Sequence, residues 1–191
     1  MRALLLNGAS KGDTFAENLC AILINQLNTN NYESKLIDLH ELEIASCLGC
    51  FGCWVKTPGI CVIDDAGREV AKAVMQSDLV IYITPVTFGG YSYELKKAID
   101  RLIPIISPFF KKIKGEVHHK PRYHSYPSLV GIGIMSEMDE EKAETFLGLV
   151  TSNAINMHYS ASASGIVLRS HTPDETVEQT EKILVEVGVK R

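Results

Sequence analysis

Apolar positions along the chain follow two alternating patterns. Residues 3–6 form an uninterrupted apolar run, as in a strand buried on both faces. From Thr14 the apolar positions take helical spacing, at Phe15, Leu19, Ile22, Leu23 and Leu27. Residues 34–39 predict a second strand. Residues 64–76 predict a helix whose Asp64 and Asp65 stand where an N-terminal turn favours negative charge. Residues 78–84 (D-L-V-I-Y-I-T) predict a third strand and 91–104 a helix. A fourth strand is expected at 129–135, a helix at 140–154, part of a fifth strand at 165–168 and a last helix at 173–187.

Five strands alternating with helices predict a parallel sheet covered on both faces. Right-handed crossovers leave few topologies for such a chain. The expectation is an α/β fold: a three-layer, doubly wound, five-stranded parallel sheet of flavodoxin-like order 2-1-3-4-5. A TIM barrel is excluded because it needs eight such units. No internal repeat, low-complexity tract or linker divides the sequence, so residues 1–191 read as a single domain.

Composition narrows the function. Hydrophobic residues make up 46% and charged residues 22%, which argues against a disordered chain. Nineteen basic against 23 acidic residues make a poor general nucleic-acid binder, since phosphate neutralisation drives that affinity. No apolar run approaches the roughly 18 residues needed to cross a bilayer. The apolar N-terminal stretch is too short for a secretory signal. The expectation is a cytoplasmic protein with neither nucleic acid nor membrane as partner.

In a doubly wound sheet, ligands bind beyond the carboxyl ends of the strands, beside the first strand. There the chain reads N-G-A-S-K-G-D-T-F over residues 7–15, which is neither G-x-G-x-x-G nor a Walker A loop. Free amides at a helix N-terminus, together with Ser10, Lys11 and Thr14, form a candidate phosphate site. The same loop also reads as a plain helix cap, with Ser10, Asp13 and Thr14 closing a turn. The charge of Asp13 has to point away from any phosphate. After the third strand, residues 84–92 read T-P-V-T-F-G-G-Y-S. Pro85 stiffens this loop, Gly89 and Gly90 allow close backbone approach, and Phe88 and Tyr91 are candidate ring faces for a flat heteroaromatic ligand.

The stretch T-P-V-T-F-G-G-Y-S-Y-E-L-K-K-A-I-D-R resembles the flavin-contacting loop and helix of NADPH-dependent FMN reductases and their flavodoxin-like relatives. G-A-S-K-G-D-T-F is similar to their phosphate loop, with Asp13 departing from the usual Asn-Thr or Ser-Thr ending. The resemblance covers residues 1 to about 103. It implies that Ser10, Lys11, Thr14 and Phe15 hold the FMN phosphate, and that Pro85, Val86, Thr87, Phe88 and Gly89 contact the isoalloxazine. A third flavin loop is expected near Ser136, with no motif to fix it. The implied activity is hydride transfer from NAD(P)H to FMN, with electrons passed to a flavin, quinone or other small acceptor. No side chain stands out as acid or base, and none is required when the cofactor carries the chemistry.

The cysteines add a second theme. Cys47, Cys50, Cys53 and Cys61 follow the spacing C-x2-C-x2-C-x7-C, while Cys20 reads as a small core residue on the first helix. Compact runs of this kind ligate [4Fe–4S] clusters, and an odd cysteine total argues against a disulfide framework. The segment resembles the iron–sulfur flavoprotein branch of the same superfamily, which implies an electron carrier with a ferredoxin-like partner. A metal-free, thiol-rich loop remains the alternative, and the expectation is FMN without a cluster in protein handled in air. The segment is expected at the sheet edge that carries the flavin loops. A non-redox binding module on the same fold is a third reading.

Residues 104–127 carry Lys111, Lys112, Lys114, Lys120 and Arg122 against Glu116, with His118, His119 and His124. They read as a solvated helix end and loop, or as a patch for a nicotinamide phosphate or an acidic partner. Pro108, Phe109, Phe110, Tyr123 and Tyr126 in the same segment predict a surface covered in a homodimer or larger assembly.

Overall fold

The computed structural model describes residues 1–113 and 115–190. In chain order the elements are β1 (Arg2–Asn7), α1 (Thr14–Thr29), β2 (Glu33–Asp38), α2 (Gly52–Val55), α3 (Ala66–Met75), β3 (Leu79–Pro85) and α4 (Tyr93–Asp100). There follow β4 (Ile106–Ile113), β5 (Glu116–Pro121), β6 (Ser128–Met135), α5 (Glu140–Asn156), β7 (Ser162–Leu168) and α6 (Pro173–Glu186). The main sheet has the order β2-β1-β3-β6-β7, with every neighbouring pair parallel. Counted among its own strands this is 2-1-3-4-5, the predicted flavodoxin-like order.

Strand alternation sends side chains to two cores. Leu5, Ile81 and Ile132 pack under α1 and α6 with Leu19, Leu23, Leu27, Ile183 and Leu184. Leu4, Leu6, Val80 and Tyr82 face the opposite layer, where Val70 and Val74 of α3, Leu95 and Ile99 of α4, and Phe146 and Val150 of α5 cover them. Each fully buried leucine contributes about 1.5–3 kcal/mol relative to exposure. The helices start where short polar side chains can cap them. Asp13, Asp65, Ser92, Asp139 and Thr172 each accept a backbone N–H from the first turn of α1, α3, α4, α5 and α6.

Residues 104–127 differ from the expected helix end and loop. After a short turn at Ile103–Ile105, β4 and β5 form an antiparallel hairpin that joins neither edge of the main sheet. Phe109, Phe110 and Val117 favour extended backbone, so local propensity wins once α4 ends. The base of the hairpin is pinned by side chains from elsewhere. Trp54 Nε1 donates to the Ile106 carbonyl at 3.0 Å, and Tyr126 Oη donates to the Ile105 carbonyl at 2.6 Å. His158 Nε2 lies 2.6 Å from the His119 carbonyl. Lys114, part of the basic set in this segment, lies outside the described residues.

Candidate functional site

The first loop leaves the centre of the sheet, because β1 lies between β2 and β3. At its root Asn7 is buried, and its amide works in both directions. Its Nδ2 donates to Asp38 at 2.8 Å, and its oxygen accepts the Ala9 N–H at 3.0 Å. The Gly8 N–H donates to the Ile83 carbonyl at 2.8 Å. The Gly8 carbonyl accepts Ser92 Oγ at 2.6 Å, and Ser92 caps α4 through the Leu95 N–H. A Cβ on Gly8 would stand 2.7 Å from both Leu95 Cβ and Ser92 Oγ, so only glycine permits this approach. The two predicted loops are thus held against each other.

At the start of α1, Ser10, Lys11 and Thr14 are exposed and Phe15 is half-buried. Among the described residues, the amides of Ser10, Lys11, Gly12 and Thr14 donate to no protein acceptor. A 16-residue helix ending on free donors, two hydroxyls and an ammonium fits a phosphate group. Asp13 does not oppose this, because its carboxylate is turned to Arg169 at the end of β7. The two guanidinium contacts are 2.8 and 2.5 Å. Hydrogen bonding from Arg169, strengthened by the Ala16 N–H, holds the Asp13 carboxyl below the ordinary carboxylate value. Arg169 also lies over the Phe15 ring, 5.6 Å from its centroid.

In the second loop Pro85 and Val86 are half-buried, and the Val86 N–H donates to the Ile134 carbonyl at 3.0 Å. Thr87 and Gly90 exchange two backbone hydrogen bonds, of 3.0 and 2.8 Å, around a two-residue turn. Both central residues have positive φ, 50° at Phe88 and 78° at Gly89. Gly89 is buried against α5, where an added Cβ would meet Thr145 Cγ2 at 2.8 Å. Phe88 is 94% exposed, so its left-handed backbone is repaid by no packing of its ring. An aromatic face held outward at some cost in stability fits a flat ring as its neighbour.

Tyr91 corrects the expectation of a second outward ring face. It is buried, packs edge-on against Tyr82 and Phe146, and accepts a hydrogen bond from Asn153 Nδ2 at 2.9 Å. Burial pushes its hydroxyl up to about 12. The residues after β6, including Ser136 and Met138, are exposed.

All four clustered cysteines line one cavity of about 400 Å³, together with Trp54 and His119. Cys47 and Cys50 are exposed, and burial raises the thiol of Cys53. As placed, no three or more His, Cys, Asp or Glu side chains among the described residues are grouped to hold a metal ion. The cavity wall includes Asp100 and Ile103 and no residue of either loop. The cysteines therefore sit beside the C-terminal end of α4, whereas the flavin-type loop runs into its N-terminus. Eight helical residues separate these ends by about 12 Å along the helix axis. Arg101 fixes the segment from beneath. It is buried, forked onto Asp65 at 2.8 Å, and donates to the Ala45 and Ile63 carbonyls. Arg68 donates to the Cys61 carbonyl at 2.8 Å. Cys20 is a core residue whose thiol burial pushes up to about 12. A larger cavity, about 610 Å³, lies between α3 and the return of the hairpin, walled by Arg68, Lys72, Met75, Ile105 and Tyr123.

Sequence reasoning did not single out Ser92 or Arg169 as site residues. Ser92 carries a local signal, a serine just before a helical pattern, but not its bond across 84 residues to Gly8. Arg169 carries none, since Asp13 lies 156 residues away.

Residues 1–124 match the family of NADPH-dependent FMN reductases. Over 105 residues the chain is 30% identical to an iron-sulfur flavoprotein of Methanocaldococcus jannaschii, covering 55% of this chain and 53% of the relative. Over 102 residues it is 28% identical to the FMN-dependent NADPH-azoreductase of Staphylococcus aureus, covering 53% and 52%. The chain spans about half the length of the curated relatives it matches. Its fold is similar to that of an NAD(P)H:quinone oxidoreductase from Methanothermobacter marburgensis, with a TM-score of 0.73 at 11% identity over 95% of this chain and 93% of the other. An FMN-dependent NADH-azoreductase from Bacillus anthracis, solved in complex with FMN, aligns with a TM-score of 0.63 at 12% identity over 99% and 98%.

Proposed function

This chain belongs to the NADPH-dependent FMN reductase family, and from that premise we propose that residues 1–191 form a single FMN-binding domain acting as an oxidoreductase. Its donor is NAD(P)H, and its acceptor is a flavin, a quinone or another small molecule. FMN, when bound, would supply the redox chemistry that links the nicotinamide donor to the acceptor. The protein's part is to bind and orient. The free amides at the start of α1, with Ser10, Lys11 and Thr14, hold the phosphate beside Phe15. Pro85, Val86, Thr87, Phe88 and Gly89 flank the ring. Among the described residues the amides of Phe88 and Gly89 have no protein acceptor, which leaves them to polarise it.

The observation that carries this reading is the Ser92–Gly8 bond, which sets a phosphate-type loop directly against an aromatic turn. Two measurements test it: FMN titration followed by flavin fluorescence, and steady-state oxidation of NADH and NADPH by the loaded protein. Ser10→Ala with Thr14→Ala should weaken FMN binding severely, and unchanged affinity would place the phosphate elsewhere.

A second reading rests on the shared cysteine cavity: an electron carrier holding FMN and a [4Fe–4S] cluster on Cys47, Cys50, Cys53 and Cys61, serving a ferredoxin-like partner. Such a protein is brown, whereas the reductase is yellow. The working form under either reading is a homodimer or larger, because Phe109, Phe110 and Val117 of the hairpin stand exposed. A monomeric mass by light scattering would contradict that. Among the described residues no helix is long and apolar enough to cross a membrane.

A further inference from the structure

The phosphate-type loop contains a misfit. Asp13 places a carboxylate at the N-cap of the helix whose free donors face the expected phosphate. Arg169, just beyond the C-terminus of the edge strand β7 and so at the same carboxyl edge, answers it with a two-point fork, while its guanidinium also covers Phe15. The Asp13 side chain is only 13% exposed, so its charge is shielded mainly by this one partner. Two arrangements of these charges would differ sharply for a phosphate. With the fork intact, Asp13 is neutralised and serves only as the cap of α1, accepting the Ala16 N–H at 3.2 Å. With the fork broken, an uncompensated carboxylate sits on the loop that has to receive a second anion.

We infer that Arg169 is a positioning residue for the flavin phosphate, acting through Asp13 and touching neither the ring nor the reacting atoms. This rests on the FMN reading above and goes further, by assigning the anion selectivity of the first loop to the residue that follows β7. It explains how this chain keeps an aspartate where a neutral residue would bind phosphate at no electrostatic cost. Asparagine at position 13 would still cap the helix, since the two side chains cap equally well.

The test compares FMN with riboflavin, which carries the same ring without the phosphate, on the full chain. Wild-type protein should prefer FMN. Arg169→Ala should weaken FMN binding by about tenfold or more, the loss of a charge-assisted contact, and leave riboflavin binding within about twofold of wild type, a change of less than 0.5 kcal/mol. Asp13→Asn in the Arg169→Ala background should restore FMN binding, because no carboxylate is left to neutralise. If Arg169 only props up the loop, the double variant will bind FMN as poorly as Arg169→Ala, and the inference falls. It falls equally if Arg169→Ala weakens both ligands alike. A wild-type protein that binds riboflavin as tightly as FMN would overturn the phosphate reading of the loop itself, and this inference with it. A wild-type preference retained in Arg169→Ala would overturn the inference alone.

Discussion

Ser92 Oγ donates to the carbonyl of Gly8 at 2.6 Å while accepting the Leu95 N–H, so one hydroxyl both caps α4 and ties the two candidate flavin loops together. Its own N–H is held by Thr84 Oγ1 at 2.8 Å, which makes it a junction of β3, α4 and the loop after β1. Ser92→Ala should therefore cost about 1–2 kcal/mol through the lost cap and the unpaired carbonyl. It should also weaken FMN binding. Urea denaturation and a flavin titration read the two effects separately, and full stability and affinity in this variant would remove the junction from the argument.

Phe88 offers a test of opposite sign. Its ring lies in solvent and its backbone in the left-handed region, so Phe88→Asn creates the Asn-Gly pair that two-residue turns of this kind prefer. Stability should rise by about 1 kcal/mol, the order of the left-handed penalty for a residue with a Cβ. Flavin binding should fall, because the aromatic face is gone. A lower melting temperature would show that Phe88 is not held at a cost.

The cysteines should differ among themselves. Cys47 and Cys50 are exposed and should label first with iodoacetamide, while burial has raised the Cys53 thiol and it should label last. Because its thiolate forms at higher pH than that of an ordinary thiol, the Cys53 rate should still be climbing at pH values where an unperturbed thiol has levelled off. Protein handled in air should contain FMN without iron, and flavin affinity should survive Cys→Ser changes at all four positions. About four irons and four labile sulfides per chain in anaerobic protein, the content of one [4Fe–4S] centre, would reverse this and favour the electron carrier.

Arg101 should matter for stability out of proportion to its distance from either loop. Arg101→Met leaves Asp65 and two carbonyls without their buried partner, a loss of about 3–5 kcal/mol. Maleimide labelling of Cys53 should quicken as the segment loosens. Burial by itself would raise the Asp65 carboxyl, yet hydrogen bonding from Arg101 and from the Ala45 and Gly67 amides holds it below the ordinary value. The pair's contribution is therefore complete above the unfolded-state pKa of an aspartate and is lost as pH falls through the lower folded value. Asp65→Asn should flatten the acid limb of a stability–pH curve, and an unchanged limb would contradict the assignment.

The sheet was legible because its determinants are local: 79–83 is apolar throughout, and α1 repeats its leucines at helical spacing. The positions of the two loops followed from topology once the strand order was set. What escaped was decided by contacts distant in sequence. Nothing near Tyr91 announces that Asn153 will satisfy its hydroxyl and draw the ring inward. The hairpin escapes the sequence because its charged residues obscure the alternation, and its strands pair with each other rather than with the main sheet. The cysteine segment was placed at the correct end of β2, but the length of the connection lets Arg101 draw its far end down alongside α4.

That hairpin has a consequence for how such a chain can change over time. Since β4 and β5 pair with nothing in the main sheet, the arm they form lies outside the register that fixes the parallel strands, and its length can change without shifting the sheet. Its base is held by Trp54, Tyr126 and His158, so a longer or shorter arm would leave from the same point in the same direction. The crossover between α4 and β6 is thus a place where descendants can diverge in what they touch while keeping both loops intact.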